Sequence, residues 1–354
     1  MIYINGRFLT RPMTGVERYA YNICKSLLSM GQTFTIICPK RPILDIYDTH
    51  DMNIVRFGHG NSHFWEQCML PFFFARKKND LLLNFTGLGP ILIRKKIMTI
   101  HDLSFLENSS WHSLPYRLWY KMMTPLAART SRQLITVSNF SKNEILRFYP
   151  SLKKKEITIV YNAADKDLFH RTASEGTSTE RFVLAVSSID PRKNFIRLLE
   201  AFTELPNCRL NIVGKANRVF KQQDLQKQNS DNVKFLGKVS DQELVRLYNH
   251  AYCFVFPSIY EGFGIPPIEA MACGCPVLAA DIPVLREVCA DGAIYFDPFN
   301  VQDIHSTIEQ FMQAEDNSRN QLIDRGLANA SRFSWEDSAK KVLEIINNYV
   351  DTTK

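Results

Sequence analysis

Apolar residues recur along this chain at two different spacings, and the two spacings alternate. After Thr14-Gly-Val-Glu17, which has the spacing of an N-terminal capping box, apolar residues follow at helical intervals until Gly31. Short, mostly apolar runs that are typical of strands occur at 34–37, 54–57, 81–85, 97–100, 134–137 and 157–160. Because strands alternate with helices, the first half predicts βαβ units and a parallel sheet.

The same alternation starts again after a polar stretch, TASEGTSTE at 172–180, which predicts an interdomain linker. Ser240-Asp-Gln-Glu243 forms a second capping box, and a final amphipathic helix follows Trp335. Further strands are predicted at 181–186, 209–213, 233–236, 252–256 and 276–280. The fold class is therefore α/β with two doubly wound domains, at residues 1–170 and 171–335, and a C-terminal helix at 336–354.

Composition restricts the class of protein further. The chain has 354 residues of which 45% are hydrophobic, so it can bury a large core and is not a disordered protein. No charged leader followed by an apolar run opens the sequence, and no uninterrupted apolar stretch is long enough to span a bilayer, which predicts a cytoplasmic location. The eight cysteines show no paired CxxC spacing. We expect buried, reduced thiols rather than disulfides or a metal site at Cys273-Gly-Cys275.

The formal charge of +7 is unevenly distributed along the chain. Residues 1–170 carry a balance of +11, and residues 171–354 carry −4. This asymmetry suits either an anionic partner of the first half or a basic surface that is merely solvated.

The stretch YEGFGIPPIEAMACGCPV, residues 260–277, carries the candidate chemistry. Glu261 lies in a loop directly after a predicted buried strand, and the prolines at 266 and 267 are suited to begin the next helix, which predicts Glu269 in its first turn. The glycines in this loop allow the backbone to approach a ligand. The alternative is that Glu269 complements the helix dipole and Glu261 is a solvated loop residue.

The order of acids, glycines and prolines in this block resembles the retaining glycosyltransferases of family 4, which have the GT-B fold. Glu261 and Glu269 match the E-x7-E motif of that family. The resemblance covers nearly the whole chain, through TGVERYAYNICKSLL, TIHDLSFL, VSNFSKNEI, VYNAADKDLF, SSIDPRKNF and FLGKVSDQELVRLY. It implies two Rossmann-like domains that face each other across a cleft, with a C-terminal helix that returns to the N-terminal domain. The resemblance assigns binding of the acceptor to the N-terminal domain and binding of the nucleotide sugar to the C-terminal domain.

The resemblance also implies how a nucleotide-diphosphate sugar is held. Glu269 would bind the ribose hydroxyls, and Glu261 would lie beside the donor hexose. Phe263, Gly264 and Ile265 would offer backbone N–H groups to the sugar or the diphosphate.

Further donor contacts follow from other matching positions. Lys193 matches the phosphate lysine of the family, and Arg192 is the nearby substitute for a family arginine whose position is Ser187 here. His101 matches a histidine that approaches the donor sugar, and Gly15 a glycine whose backbone approaches the diphosphate. The alternatives are a solvated lysine and arginine, a structural histidine and an ordinary turn glycine.

The reaction implied by the resemblance is transfer of a hexose, with retention of the anomeric configuration, to a glycan or lipid-linked glycan acceptor. Internal return on one face of the sugar is expected, without metal or cofactor, so Asp165-Lys-Asp167 is not expected to bind a metal ion. The GVERY and DPRKN strings resemble mannosyltransferases that build bacterial surface polysaccharide such as lipopolysaccharide O-antigen, with GDP-mannose as donor.

Other functions stay open at this point. A nucleotide-sugar epimerase, a glycogen-synthase-like polymerase or a non-catalytic nucleotide-sugar-binding scaffold would share the fold. Nucleic-acid binding is not expected, since no recognised module accompanies the basic charge.

Peripheral contact with an anionic membrane is a further expectation. Apolar residues stand beside cations at 64–65, 70–78 and 111–121. The same segments could equally be core helices with solvated ends.

Overall fold

The computed structural model describes residues 1–60, 62–77, 79–172, 181–188, 190–215 and 232–351. The chain forms two compact units, one of Met1–Asn162 with Trp335–Lys354 and the other of Ala163–Ser334. Sequence reasoning divides the chain at 170 and 335 instead. Residues 173–180 of the predicted linker lie outside the described residues.

The first unit contains a parallel seven-stranded sheet of order β3-β2-β1-β4-β5-β6-β7. Its strands are β1 Ile2–Asn5, β2 Thr35–Cys38, β3 Ile54–Arg56, β4 Leu81–Asn84, β5 Lys96–Ile100, β6 Gln133–Thr136 and β7 Ile157–Ile159. Every residue of β4, β5 and β6 is buried, as expected where helices cover both faces of a parallel sheet. Burial on two faces therefore explains why β4, β5 and β6 are formed mostly by apolar residues.

Helices and turns connect these strands. The helices are Gly15–Ser29, Ser62–Phe64, Leu70–Phe74, Ser104–Glu107, Leu114–Thr130, Asn139–Phe148 and Trp335–Asp351, with a π-helical turn at Trp65–Met69 and 3-10 turns at Gly6–Thr10 and Pro150–Leu152. The C-terminal helix belongs to this unit because Trp335 packs edge to face on Tyr19 at 5.9 Å. Ser338 also donates a hydrogen bond to the Tyr161 carbonyl at 2.8 Å.

The second unit contains a parallel six-stranded sheet of order β10-β9-β8-β11-β12-β13. Its strands are β8 Phe182–Val186, β9 Arg209–Val213, β10 Val233–Gly237, β11 Cys253–Phe256, β12 Val277–Ala280 and β13 Ala293–Phe296. Its described helices are Phe195–Thr203, Asp241–His250, Ile265–Ala272, Pro283–Cys289, Val301–Gln313 and Asp316–Ala330, with 3-10 turns at Pro191–Lys193 and Ala290–Gly292.

The prediction of two Rossmann-like parallel sheets is confirmed. β1 and β13 were not among the predicted strands, although both are largely apolar in sequence. Ser240 caps its helix as predicted, accepting from Glu243 N at 3.2 Å. Thr14 occupies the N-cap position, but its hydroxyl donates to the Glu17 carboxylate instead of accepting from the backbone, so the predicted capping box is wrong there.

The cysteines are free thiols, and all except the exposed Cys68 are buried. Burial raises the pKa of Cys273 to about 12. It therefore stays protonated near neutral pH and packs as a small apolar residue.

Candidate functional site

The second sheet changes direction between β8 and β11, which lie side by side although β9 and β10 separate them in sequence. Loops that follow two such strands diverge and leave a crevice at their carboxyl ends, where open α/β sheets bind ligands. Ile259 N donates to the Arg192 carbonyl at 2.9 Å and ties the two loops together. This strand order brings residues 187–188, 190–194 and 257–264 to one place.

A buried ion pair joins the two loops. The Lys193 amine donates to Glu261 Oε1, and the two residues are 8% and 7% exposed. The amine also lies 5.6 Å from the centre of the Phe256 ring. Burial lowers the pKa of Lys193, and Glu261 opposes that change. Both residues are therefore removed from bulk water, which contradicts the alternatives of a solvated lysine and a solvated glutamate.

Arg192 supplies a second cation to the same place. Its Nη1 lies 3.7 Å from Glu261 Oε2, and its Nε lies 3.4 Å from Asp190 Oδ1. The side chain is about one fifth exposed, so one edge of the guanidinium is accessible to a ligand. The structure thus brings together Arg192, Lys193 and Glu261.

Gly214 packs against the backbone of Ser187, the position at which the resemblance expects an arginine. A Cβ atom at Gly214 would lie only 1.7 Å from the Ser187 carbonyl oxygen, so no side chain fits there. Ser187 N in turn donates to the Val213 carbonyl at 3.0 Å. The ends of β8 and β9 are therefore tightly packed beside the cations.

Glu269 lies on the helix that follows the second loop. This helix begins at Ile265, so Glu269 is its fifth residue and not in the first turn as predicted. The difference arises because Gly264 adopts a left-handed conformation, with φ of 99°, and serves as the N-cap. Glu269 is only 6% exposed, and a buried carboxylate one turn into the helix is more than a partner of the helix dipole.

The start of this helix offers few but well-placed donors. The first four N–H groups of an α-helix have no partner within the helix. Pro266 and Pro267 have no N–H, so Gly264, the N-cap, and Ile265 supply those donors here. Phe263, packed edge to face on Phe333 at 5.3 Å, holds the loop before them.

His101 follows β5 in the first unit. Its Nε2 lies 2.7 Å from the Phe85 carbonyl, which can only accept, so Nε2 carries the proton and Nδ1 remains an acceptor. Burial lowers the pKa of His101, and the Tyr19 ring packs against it at 5.0 Å. His101 is thus a neutral, fixed imidazole, as the structural alternative expects, with one nitrogen still able to accept.

Two serines support the same region. Ser138 caps the helix Asn139–Phe148, accepting from Ser141 N at 2.9 Å. The Ser141 hydroxyl donates to the His101 carbonyl at 3.1 Å. Gly15 is the exposed first residue of its helix.

Sequence reasoning missed several residues of the second unit. Asp190, which binds Arg192, and Phe256, which lies under Lys193, were not singled out. Ser258 was missed too, although it is fully buried just after β11. The position of Gly214 directly after a predicted strand was the one signal that marked a close approach of backbone.

Two family models match consecutive parts of the chain. "Glycosyltransferase Family 4" matches residues 13–168, and "Glycosyl transferases group 1" matches residues 167–329. The chain belongs to the family 4 glycosyltransferases.

The relatives of this glycosyltransferase include named bacterial enzymes. It is 29% identical over 270 residues to O-antigen chain mannosyltransferase B of Escherichia coli, which covers 72% of this chain and 70% of the relative. It is 32% identical over 230 residues to O-antigen chain mannosyltransferase RfbU of Salmonella typhimurium, covering 64% and 63%. It spans 28% of the longer serotype-specific mannosyltransferase WbdA of E. coli.

Solved structures share the fold of the glycosyltransferase. Sucrose-phosphate synthase from Thermosynechococcus elongatus matches with a TM-score of 0.79 at 17% identity, covering 99% of both chains. Anabaena HepE in complex with UDP and glucose matches with a TM-score of 0.73 at 19% identity, covering 98% and 99%. At these identities the likeness establishes the GT-B fold alone.

Proposed function

We propose that this glycosyltransferase moves mannose from GDP-mannose to a glycan or lipid-linked glycan during assembly of a bacterial O-antigen. The names of the two O-antigen mannosyltransferases support the sugar and the pathway. The observation that carries the proposal is the buried Lys193–Glu261 pair at the point where the second sheet changes direction.

The diphosphate of the donor is assigned to the cations. Lys193 and Arg192 provide two positive charges beside each other, and the helix that begins at Ile265 adds N–H groups and the positive end of its dipole. Charge that develops on the departing diphosphate is stabilised there. Because these groups are fixed before the donor binds, little reorganisation accompanies the reaction.

The sugar and the nucleoside are assigned to the two acids. Glu261 is held beside the hexose by its bonds to Lys193, and Glu269 binds the ribose hydroxyls. His101 Nδ1 is assigned to accept a hydrogen bond from a hydroxyl of the donor sugar. The backbone of Gly15 is assigned to the diphosphate.

Retention of configuration is part of the proposal. Retaining glycosidases use a second carboxylate as a nucleophile. Glu261 is bound by Lys193 and Arg192 and is not available for that role. We therefore favour internal return, in which the leaving phosphate oxygen takes the proton of the acceptor hydroxyl as the new bond forms on the same face.

Metal independence follows from the same assignment. Lys193 and Arg192 carry out the charge neutralisation that Mg²⁺ performs in metal-dependent transferases. We expect activity to be unchanged after treatment with EDTA, and added Mn²⁺ or Mg²⁺ to have no effect.

The test begins with a thermal-shift screen of GDP-, UDP- and dTDP-sugars, followed by transfer of radiolabelled mannose to a lipid extract of a bacterium that makes O-antigen. We expect stabilisation by GDP-mannose and label in the lipid fraction. Free altered sugar would indicate an epimerase, and extension of an oligoglucan a glycogen-synthase-like enzyme. Binding without turnover would indicate a scaffold, and each of these three results contradicts the proposal.

We also propose that the first unit rests on an anionic membrane surface. The helix Leu114–Thr130 exposes a row of apolar residues at every fourth position: Leu114, Leu118, Met122 and Leu126. Arg117 and Lys121 border a cavity of about 200 Å³ beside this row. An apolar row flanked by cations suits the interface of an anionic bilayer.

The other segments expected at the membrane are mainly structural. Trp65, Leu70 and Phe74 are buried in the core of the first unit, and of the aromatic residues in these segments only Phe64 and Phe72 are exposed. Lys78 lies outside the described residues. Within the described ranges, no helix has the length and apolar character needed to cross a membrane.

Cosedimentation tests the membrane proposal, with vesicles of phosphatidylcholine alone or mixed with phosphatidylglycerol. We expect binding only to the mixed vesicles, and Leu118→Ser together with Met122→Ser to weaken it by roughly tenfold. Leu92→Ser, which changes an even more exposed leucine outside the helix, is the control. Equal binding to both vesicle types, or no loss in the double variant, contradicts the assignment.

A further inference from the structure

Two arginines lie against one aromatic ring at the amino edge of the second sheet, the edge opposite the candidate site. Arg181 directly precedes β8, and Tyr252 directly precedes β11. Tyr252 N donates to the Phe182 carbonyl at 2.9 Å, which brings the starts of these two strands together. The guanidinium carbons of Arg181 and Arg319 lie 4.8 Å and 5.0 Å from the centre of the Tyr252 ring, so the two cations are close to each other.

A third arginine lies at the same edge. A Cβ atom at Gly274, just before β12, would lie 3.0 Å from Arg171 Cδ, and β12 is the neighbour of β11 in the sheet. Arg319 is close to this place as well. Burial raises the pKa of the Cys275 thiol, which follows Gly274, and the positive charge of Arg319 opposes that change. We call Arg171, Arg181 and Arg319 the arginine cluster.

No carboxylate neutralises the arginine cluster within the part of the chain that the structure describes. Three other arginines of the same unit, Arg192, Arg246 and Arg286, each form an ion pair with an acid. The members of the cluster form none with the described residues. Residues 171–354 carry a balance of −4, so three cations without an acid are unusual in this half of the chain.

The outer nitrogens of the cluster are accessible to a ligand. Arg171 and Arg181 are exposed. Arg319 is partly exposed: its Nε is buried without a hydrogen-bond partner among the described residues, whereas its terminal nitrogens are not buried. A cation–π contact with Tyr252 would stabilise either arginine alone, but two like charges at one ring repel each other unless an anion lies between them.

We propose that Arg171, Arg181 and Arg319 form a binding site for a dianionic phosphate group. A guanidinium donates two parallel N–H groups to a pair of phosphate oxygens, and a phosphate has enough oxygens to bond to more than one such group. Its two negative charges also balance the cluster better than a single carboxylate does.

The site is distinct from the one assigned to the donor. β8 has five residues, so about 15 Å of strand separates Arg181 from the loop that carries Lys193. A phosphate bound at the cluster is therefore not the diphosphate of the donor, and the site does not depend on the proposed function.

Isothermal titration calorimetry on the full chain tests the site, with inorganic phosphate and inorganic diphosphate as probes at slightly alkaline pH and low ionic strength. We expect the wild type to bind at least one probe. Arg181→Gln and Arg319→Gln should each weaken that binding on the order of tenfold, because each variant loses charge-assisted hydrogen bonds to phosphate oxygens. Arg171→Gln, which changes an exposed side chain, should do the same if Arg319→Gln fails to fold.

Two further variants locate the bound anion. Arg325→Gln changes an exposed arginine on the helix of Arg319 and should bind as the wild type does. Lys193→Ala removes a cation of the other edge and should also leave the binding intact. Binding that is lost in Lys193→Ala and undiminished in the variants of the cluster would place the anion at the donor site and overturn the proposal.

Cosedimentation with phosphatidylcholine vesicles that contain phosphatidic acid identifies the source of the phosphate. Binding of the free probes alone through the arginine cluster indicates a soluble ligand. Vesicle binding that falls in Arg181→Gln and Arg319→Gln indicates a lipid headgroup, and both results support the site. Absence of binding to both probes together with vesicle binding that is unchanged in these variants overturns it.

Discussion

The two units share a strand order and place a buried cation–carboxylate pair at the same topological position. In the second unit, Lys193 and Glu261 follow the two central strands of the sheet. In the first, Arg7 follows β1, but Glu66 comes from the π-helical turn Trp65–Met69. The comparison shows that the carboxyl edge of a doubly wound sheet concentrates buried charge even when the loops differ.

The surroundings of the two pairs differ in chemistry. Arg192 and the helix that begins at Ile265 lie beside Lys193 and suit an anionic diphosphate. In the first unit, His63 Nδ1 lies 3.9 Å from Glu66 Oε2, and its ring lies 5.6 Å from that of Trp119. The same topology therefore holds two pairs with different neighbours, cationic in one unit and aromatic in the other.

Glu66→Ala is expected to have the largest effect, and on stability. Above pH about 7, where Glu66 is ionised, it leaves the buried Arg7 guanidinium without its counter-ion, which costs about 3–5 kcal/mol of unfolding free energy. Urea denaturation measures the loss. Arg7→Met combined with Glu66→Leu removes both charges and should recover most of the lost stability. A double variant as unstable as Glu66→Ala would show that the hydrogen bonds of this pair to Asn5 and Ser62, rather than its charges, stabilise this part of the first unit.

Lys193→Ala should mainly affect turnover. Loss of the cation on the diphosphate is expected to lower kcat by about 10²–10³-fold. Steady-state transfer of labelled mannose measures it, and Lys234→Ala, an exposed lysine of the same unit, is the control. Near-normal activity would show that the second pair is structural.

The free energy of unfolding should depend on pH through Glu66, the acid of the first pair. Burial raises the pKa of Glu66 to about 7, against the opposing effects of Arg7 and Asn5, from an ordinary value of 4.5. The folded state keeps this proton to higher pH than the unfolded chain. The Glu66 contribution is therefore fully present below pH about 4.5 and is lost as pH rises through about 7.

The wild type should thus lose stability relative to Glu66→Gln between these two pH values, by about 2–3 kcal/mol, as measured by urea denaturation at each pH. Glu261→Gln is the matched comparison at the other pair. A difference between wild type and Glu66→Gln that stays constant across this range would contradict the assignment.

Glu269→Gln should have the smallest effect. An amide keeps the size of the side chain but weakens its bonds to the ribose hydroxyls, so we expect KM for GDP-mannose to rise about tenfold with little change in kcat. A fall in kcat at constant KM would place Glu269 at the reacting centre instead.

Local pattern predicted much of the second unit. The strands at 209–213 and 253–256 and the cap at Ser240 are local features, set by runs of apolar residues and by one hydroxyl. The string from Glu261 to Glu269 marked one half of the candidate site for the same reason. The string placed Glu269 in the first turn of the helix. The helix begins one residue earlier than that prediction requires, because the left-handed Gly264 is its N-cap.

The sequence by itself determined most of the segments that become strands, because burial on two faces requires runs that are mostly apolar. Only the tertiary structure decided which loops meet. Lys193 and Glu261 are 68 residues apart, and Asn5 and Glu66 are 61 apart. Their meeting depends on the order of strands within each sheet, and no spacing along the chain encodes that order.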